Sequence, residues 1–241
     1  MAPDLHELRA AVRSLFAYEK MARNLRVARQ PSRHMTYHDL SEALVKAGCA
    51  ICRLVATATD RYLRSLLHES VNDPGVRERL RASQGFCRAH SWQLQRRGDP
   101  LGISILWRDL LTQASESGNG PQREKGRGRT AVCPACEIAT EAERRYLGTL
   151  VEHLASGSLR GEYDTSPGLC LPHLRKALRQ GPAGARAFLL DSEAAKLSRL
   201  SQELAEIIRK NDYRFRGEPW GAERNAWIRA TRKLAGEPPE E

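Results

Sequence analysis

The sequence has few aromatic residues (6%), only 3 methionines, and no apolar run near the roughly 18 uncharged residues that a bilayer-spanning helix needs. No membrane association is therefore expected. The first residues, MAPDLHELRAAVRSLF, carry a charge every few positions where a secretory leader needs an apolar block, so a cytoplasmic location is expected. Alternating apolar and polar residues with hairpin punctuation are missing throughout, which argues against strands. A Gly-rich phosphate loop, a nucleophile elbow and a His-Glu-x-x-His helix are missing as well, which removes the commonest signatures of nucleotide binding, acyl transfer and zinc proteolysis. Whole-chain disorder is excluded too. Counting glycine with the apolar residues and leaving out tyrosine gives about 46%, an ordinary globular share.

A net charge of +10 raises the question of nucleic acid, and its distribution answers in part. Residues 1–34 carry an excess of +4 and Gly118–Thr130 an excess of +3, so most of the surplus lies in segments peripheral to the periodic ones. Arginine supplies 32 of the 39 basic residues, as an Ala- and Arg-rich composition from a GC-rich genome does by default. Nucleic-acid binding is possible but not favoured on this ground.

The chain contains no cysteine outside one duplicated pattern. CAICRLVATATDRYLRSLL followed by SQGFCRAHSWQLQRRGDP is echoed by CPACEIATEAERRYLGTLV followed by SPGLCLPHLRKALRQGPA. Cys49 and Cys52 map onto Cys133 and Cys136 at an offset of 84; Gly85, Cys87, His90 and Gly98 map onto Gly168, Cys170, His173 and Gly181 at an offset of 83. Each copy thus holds Cys-x2-Cys and Gly-[Phe/Leu]-Cys-x2-His, with 34 or 33 residues between the second cysteine and the third. Three thiolates and an imidazole in two close pairs suit a closed tetrahedral zinc site, and two zinc ions per chain are expected. An iron-sulfur cluster is the rival, although no run of close cysteines is present. Buried thiols would leave the duplication unexplained. A thioredoxin-like redox pair would want a preceding strand. Local closure costs less loop entropy, so Cys49, Cys52, Cys87 and His90 are expected to share one metal and Cys133, Cys136, Cys170 and His173 the other. A pairing across the copies also fits the sequence.

Helical periodicity dominates the remainder. Ile51, Leu54, Val55, Ala58, Tyr62, Leu66 and Leu67 recur at helical steps, as do Ile138, Ala142, Leu147, Leu150 and Val151. Asn72-Asp73-Pro74-Gly75 and Gly157 are the expected stops. A helix from Cys52 to Val71 is about 30 Å long, so local closure requires an antiparallel return, a hairpin, before Cys87. Gly85 and Gly168 permit the sharp turn into short helices that end before Gly98 and Gly181. Further helices are expected over Leu101 to Ser115 and Ala185 to Lys210, the latter with a core stripe from Leu189 to Ile208. The fold class is all-α: a helical bundle of two duplicated helix-hairpin zinc-binding repeats plus a C-terminal helix. The boundaries read as a basic extension 1–34, a first repeat 35–115, a flexible linker 116–130, a second repeat 131–212, and a C-terminal aromatic and basic segment, helix and acidic tail 213–241.

At HESVNDPGVRERLRASQGFCRAH and KNDYRFRGEPWGAERNAWIRA the chain resembles an uncharacterised bacterial domain-of-unknown-function family, over roughly Thr36 to Gly236. The resemblance implies a Tyr-rich turn at Met35–Asp39 before the first Cys-x2-Cys, with Met35 an alternative start, and it implies no reaction. His68-Glu69 and Glu152-His153 occupy equivalent places in reversed order. They can be read as an acid and base pair, but surface or outer-sphere hydrogen bonding is the simpler reading, in which Glu69 and His153 are dispensable for metal and melting. Tyr62 and Tyr146 read as core residues with a hydroxyl at the rim. Tyr213, Phe215, Trp220 and Trp227 lie among arginines, as base-stacking rings do, yet they are expected to anchor the last helix, with Glu218–Gly221 as its turn. These features together suggest a non-catalytic scaffold with a protein partner; a nucleic-acid or ribosome-associated factor is the alternative and a metal-dependent enzyme the third.

Overall fold

The computed structural model describes residues 35–116, 131–215 and 217–238. The basic extension, nearly all of the expected linker, and the last residues lie outside the described residues. Among the described residues there are ten α-helices and no strand, so the all-α reading holds. No helix among them is long and apolar enough to cross a membrane. They form two compact units, one of residues 35–54 and 144–237, the other of residues 55–116 and 131–143.

The first helix among the described residues is α1 (Met35–Leu44), where a turn was expected from the resemblance. Tyr37, Leu40 and Leu44 recur at three and four residues and are buried, which favours a helix over a turn. Helix α2 (Ala50–Ser65) follows and continues into a single π-turn at Leu66–Ser70. Leu66 and Leu67 at the start of that turn are both buried. Asp73 then caps α3 (Pro74–Ala82), accepting from the Val76 amide at 2.8 Å, with proline in the first turn. Helices α4 (Arg88–Gln95) and α5 (Pro100–Glu116) complete the first stretch. After the segment 117–130 come α6 (Pro134–Ser156), α7 (Arg160–Thr165), α8 (Leu171–Gln180), α9 (Ala183–Lys210) and α10 (Ala226–Ala235). Gly157 follows α6 as expected.

In the unit of residues 55–143 the core is Leu63, Leu66, Leu67, Leu80, Leu94 and Leu106 with Ala135, and Phe86 and Trp107 pack edge to face beside it. Asp109 pins α3 to α5. Its carboxylate accepts from Arg81 at 2.9 and 2.7 Å and pairs with Arg77, and the Arg81 hydrogen bond holds it below the usual carboxylate range. Tyr62 lies half-buried on this core, at the rim as its spacing implied.

In the other unit Leu40, Ile51, Leu147, Leu150, Leu154, Leu159, Tyr163 and Leu189 are buried. Tyr146 is buried and its hydroxyl donates to Asp39 at 2.8 Å, tying α6 to α1. The apolar stripe of α9 faces the core through Leu189 and Ala194, but it is exposed by Ile208. The C-terminal rings correct the sequence reading. Tyr213 is 83% and Trp227 61% exposed, so they do not anchor α10; Ala226 and Lys233 form its buried face instead. Spacing could not distinguish a ring on the solvent side of a short helix from one on the core side.

Candidate metal centres

All six cysteines stand at helix amino termini. Cys49 precedes α2 and Cys52 lies in its first turn; Cys133 and Cys136 are placed likewise on α6; Cys87 and Cys170 cap α4 and α8. The partial positive charge there favours thiolates. Gly85 and Gly168, two residues before the capping cysteines, have φ of +87° and +79°, the left-handed turn expected of them. At Gly168 a Cβ would also lie 2.2 Å from a Glu193 carboxylate oxygen, so a side chain there would have to displace Glu193.

The eight predicted ligands come together in two sets, and the sets are not those that local closure implied. Cys49, Cys52, Cys170 and His173 form one, Cys87, His90, Cys133 and Cys136 the other, and the donor atoms of each lie within 4.8 Å of one another. In the first set His173 Nδ1 is 3.5, 3.3 and 3.0 Å from the sulfurs of Cys49, Cys52 and Cys170, and Cys52 Sγ is 3.7 Å from Cys170 Sγ. In the second His90 Nδ1 is 3.2, 3.5 and 3.4 Å from Cys87, Cys133 and Cys136, and Cys136 Sγ is 3.7 Å from Cys87 Sγ.

The return from Val71 to Cys87 is taken up by α3, which Arg77, Arg81 and Asp109 hold against α5. The longer loop of the crossed pairing is cheap. Closing Cys52 onto Cys170 spans 118 positions, and the added entropy relative to closing onto Cys87 is about 1 kcal/mol.

The donors of the first set perturb one another strongly. Hydrogen bonds to Cys170 and Cys52 hold Cys49 far below an ordinary thiol, and the same bonds push Cys170 up. Burial alone would lower His173, but hydrogen bonds to the Cys49 and Cys52 sulfurs, and their charge, raise it to about 10. In the second set burial, then the hydrogen bond with Cys87, pushes Cys136 up to about 12. An imidazolium offsets at most one thiolate charge in the first set, where a divalent ion would offset two.

Sequence reasoning missed the residues that support the first set. Glu193 is buried; it accepts from the Leu169 amide at 2.8 Å, from the Tyr163 hydroxyl, and pairs with Lys233. Glu237 accepts from the Cys49 amide at 3.1 Å and pairs with Arg232 at 3.2 Å. One signal was available: Glu193 lies four residues from both Leu189 and Leu197, a charge on an apolar stripe.

The other paired residues separate. Glu69 is exposed and accepts from Ser65 at 3.0 Å, a surface role. His153 is buried, with Nδ1 at 2.8 Å from Ser158 Oγ and its ring 4.6 Å from that of Tyr37. This corrects the expectation that both are dispensable for melting. Glu69→Gln should change stability by less than about 0.5 kcal/mol, whereas His153→Gln should cost about 1–3 kcal/mol in urea denaturation. Neither should change metal content by elemental analysis, and a metal lost in His153→Gln would tie that ring to a metal centre.

A model for a family of unknown function, DUF6062, matches residues 38–127 and 112–241. The chain belongs to the DUF6062 family. An uncharacterised 23.9 kDa protein in the xynA 3′ region of Caldicellulosiruptor sp. (strain Rt8B.4) is 29% identical over 200 residues, which are 78% of this chain and 95% of that protein. No solved structure matches the chain. For this DUF6062 protein, function has to be argued from the two centres.

Proposed function

We propose that this chain is a non-catalytic, zinc-binding helical scaffold: two closed centres of three cysteines and one histidine hold helix ends together, and exposed faces bind a cytoplasmic protein partner. The observation that supports zinc is the size of each donor set. Zn–S and Zn–N bonds of about 2.3 and 2.0 Å give a tetrahedron with edges of about 3.8 Å between sulfurs and about 3.5 Å between sulfur and nitrogen. The sulfur pairs at 3.7 Å and the cross-pair sulfur to nitrogen distances of 3.3 to 3.5 Å are close to those edges, while the pairs within each Cys-x2-His, at 3.0 and 3.2 Å, are shorter. An iron-sulfur cluster seats its protein ligands on different irons and therefore farther apart. Four good protein donors leave no open position for substrate, which favours a structural over a catalytic ion.

Protein purified anaerobically should contain two zinc ions per chain by elemental analysis and lack visible charge-transfer absorption. Iron with matching sulfide would overturn the zinc reading, and less than one metal per chain would return the cysteines to buried thiols.

A second reading rests on the exposed C-terminal rings. Tyr213, Trp220 and Trp227 are open, while Arg209 lies 4.5 Å from the Phe215 ring and Lys210 5.8 Å from that of Trp220. Open rings beside cations suit base stacking. RNA affinity that survives deletion of residues 1–34 and 117–130 would favour this nucleic-acid role over the scaffold.

A further inference from the structure

The two donor sets are built alike but covered differently. In the unit of residues 35–54 and 144–237, Cys170 is 1% and Cys49 4% exposed, and the chain leaving α10 lies against the set. A Cβ built on Gly236 would come 3.4 Å from Cys52 Sγ and 3.7 Å from Cys170 Sγ, so backbone covers those sulfurs. Glu237, the next residue, latches this segment by accepting from the Cys49 amide at 3.1 Å and pairing with Arg232 at 3.2 Å. In the unit of residues 55–143 the second set is more open: Cys87, Cys133 and Cys136 are all partly exposed.

Oxidants take cysteines that are both thiolate and accessible. Helix amino termini favour the thiolate in both sets, and a coordinated zinc would hold it so, which leaves accessibility to tell the sets apart. The Cys87 and Cys136 sulfurs, 3.7 Å apart, need to approach by only about 1.7 Å to reach the length of a disulfide bond.

We infer that the second set is an oxidation site: a peroxide oxidises its cysteines before those of the first set, joins two of them as a disulfide and so dismantles that centre. One thiolate attacks a peroxide oxygen, the O–O bond breaks and hydroxide leaves, giving a sulfenic acid. A second thiolate attacks that sulfur, the S–S bond forms and a second hydroxide leaves, so two thiolates have given two electrons to one peroxide. One cysteine and His90 remain, too few donors for a closed tetrahedral ion. The inference rests on the zinc reading for the ion that is released.

The test uses the full chain, purified anaerobically, with its zinc counted first. Hydrogen peroxide is then added, and the cysteines are followed by timed alkylation and peptide mass mapping, beside zinc released to a colorimetric chelator. The first disulfide should join two of Cys87, Cys133 and Cys136, forming at least about tenfold faster than any that includes Cys49, Cys52 or Cys170, with release of one zinc ion. Glu237→Ala, which removes the latch over the first set, should narrow that gap to about threefold or less and leave the rate at the second set unchanged. Zinc missing at the outset would overturn the zinc reading, whereas the order of the cysteines decides this one. Equal rates at the two sets, a first disulfide that includes a cysteine of the first set, or zinc retained after the disulfide forms would overturn the proposal. So would Glu237→Ala rates that match the parent's at both sets.

Discussion

Cys87→Ser is expected to release one zinc ion and unfold the unit containing Leu63, Leu80, Leu94 and Leu106, while Leu150, Leu154 and Tyr163 stay protected from hydrogen exchange. Cys170→Ser should do the reverse. The expectation follows from the crossed donor sets, in which Cys87 serves Cys133 and Cys136 whereas Cys170 serves Cys49 and Cys52. Zinc in such sites contributes about 10 kcal/mol or more to folding, comparable with the whole stability of a typical domain. A unit that loses its ion has little left to hold its helix ends together, because the remaining cysteines would bring uncompensated charge or unpaired thiols to the same point. Chelation of both ions should therefore abolish the thermal transition and most of the helical circular dichroism. Equal loss of protection in both units from a single variant would contradict the assignment of donors. A metal-free chain that is fully helical and melts normally would mean that the ions are not structural, and would reopen the enzyme reading.

The eight residues that cluster were legible because metal chemistry would restrict both residue type and spacing, and a duplicated Cys-x2-Cys with Cys-x2-His meets both demands. Helix spans were legible for a related reason. Leu101 to Ser115 and Ala185 to Lys210 were read from period and punctuation, and α5 and α9 occupy nearly those limits. The pairing was not legible from loop entropy, since that term grows only logarithmically and separates the alternatives by about 1 kcal/mol. The exposed Trp227 was missed because a ten-residue helix offers too few turns to define a face, and its true buried face includes a lysine. Lys233 could not be placed inside without knowing that Glu193 awaited it.

Glu193→Gln should be among the most destabilising single changes outside the metal ligands. The carboxylate answers three donors at once: the Leu169 amide at 2.8 Å, the Tyr163 hydroxyl and the Lys233 ammonium. Burial, then the charge of Glu193, keeps the Tyr163 phenol well above its ordinary pKa, so that hydroxyl remains a donor needing an acceptor. An amide oxygen can still accept one or two of these bonds but leaves the buried ammonium without a counter-charge. Removing one partner of a buried ion pair costs about 3–5 kcal/mol, or a fall of about 10 °C in melting temperature for a chain of this size. Lys233→Met in the Glu193→Gln background should recover at least about 1 kcal/mol by removing the orphaned charge, a sign of coupling that a double-mutant cycle in urea would measure. Because Leu169 directly precedes Cys170, the same change should loosen the capping cysteine and weaken zinc about 10-fold or more in competition with a chelator. If Glu193→Gln melts within a degree or two of the parent and holds zinc as tightly, the carboxylate does not brace the centre. If Lys233→Met deepens rather than relieves the loss, the pair's attraction is not what Glu193 contributes, and its hydrogen bonds from Leu169 and Tyr163 carry the stability instead.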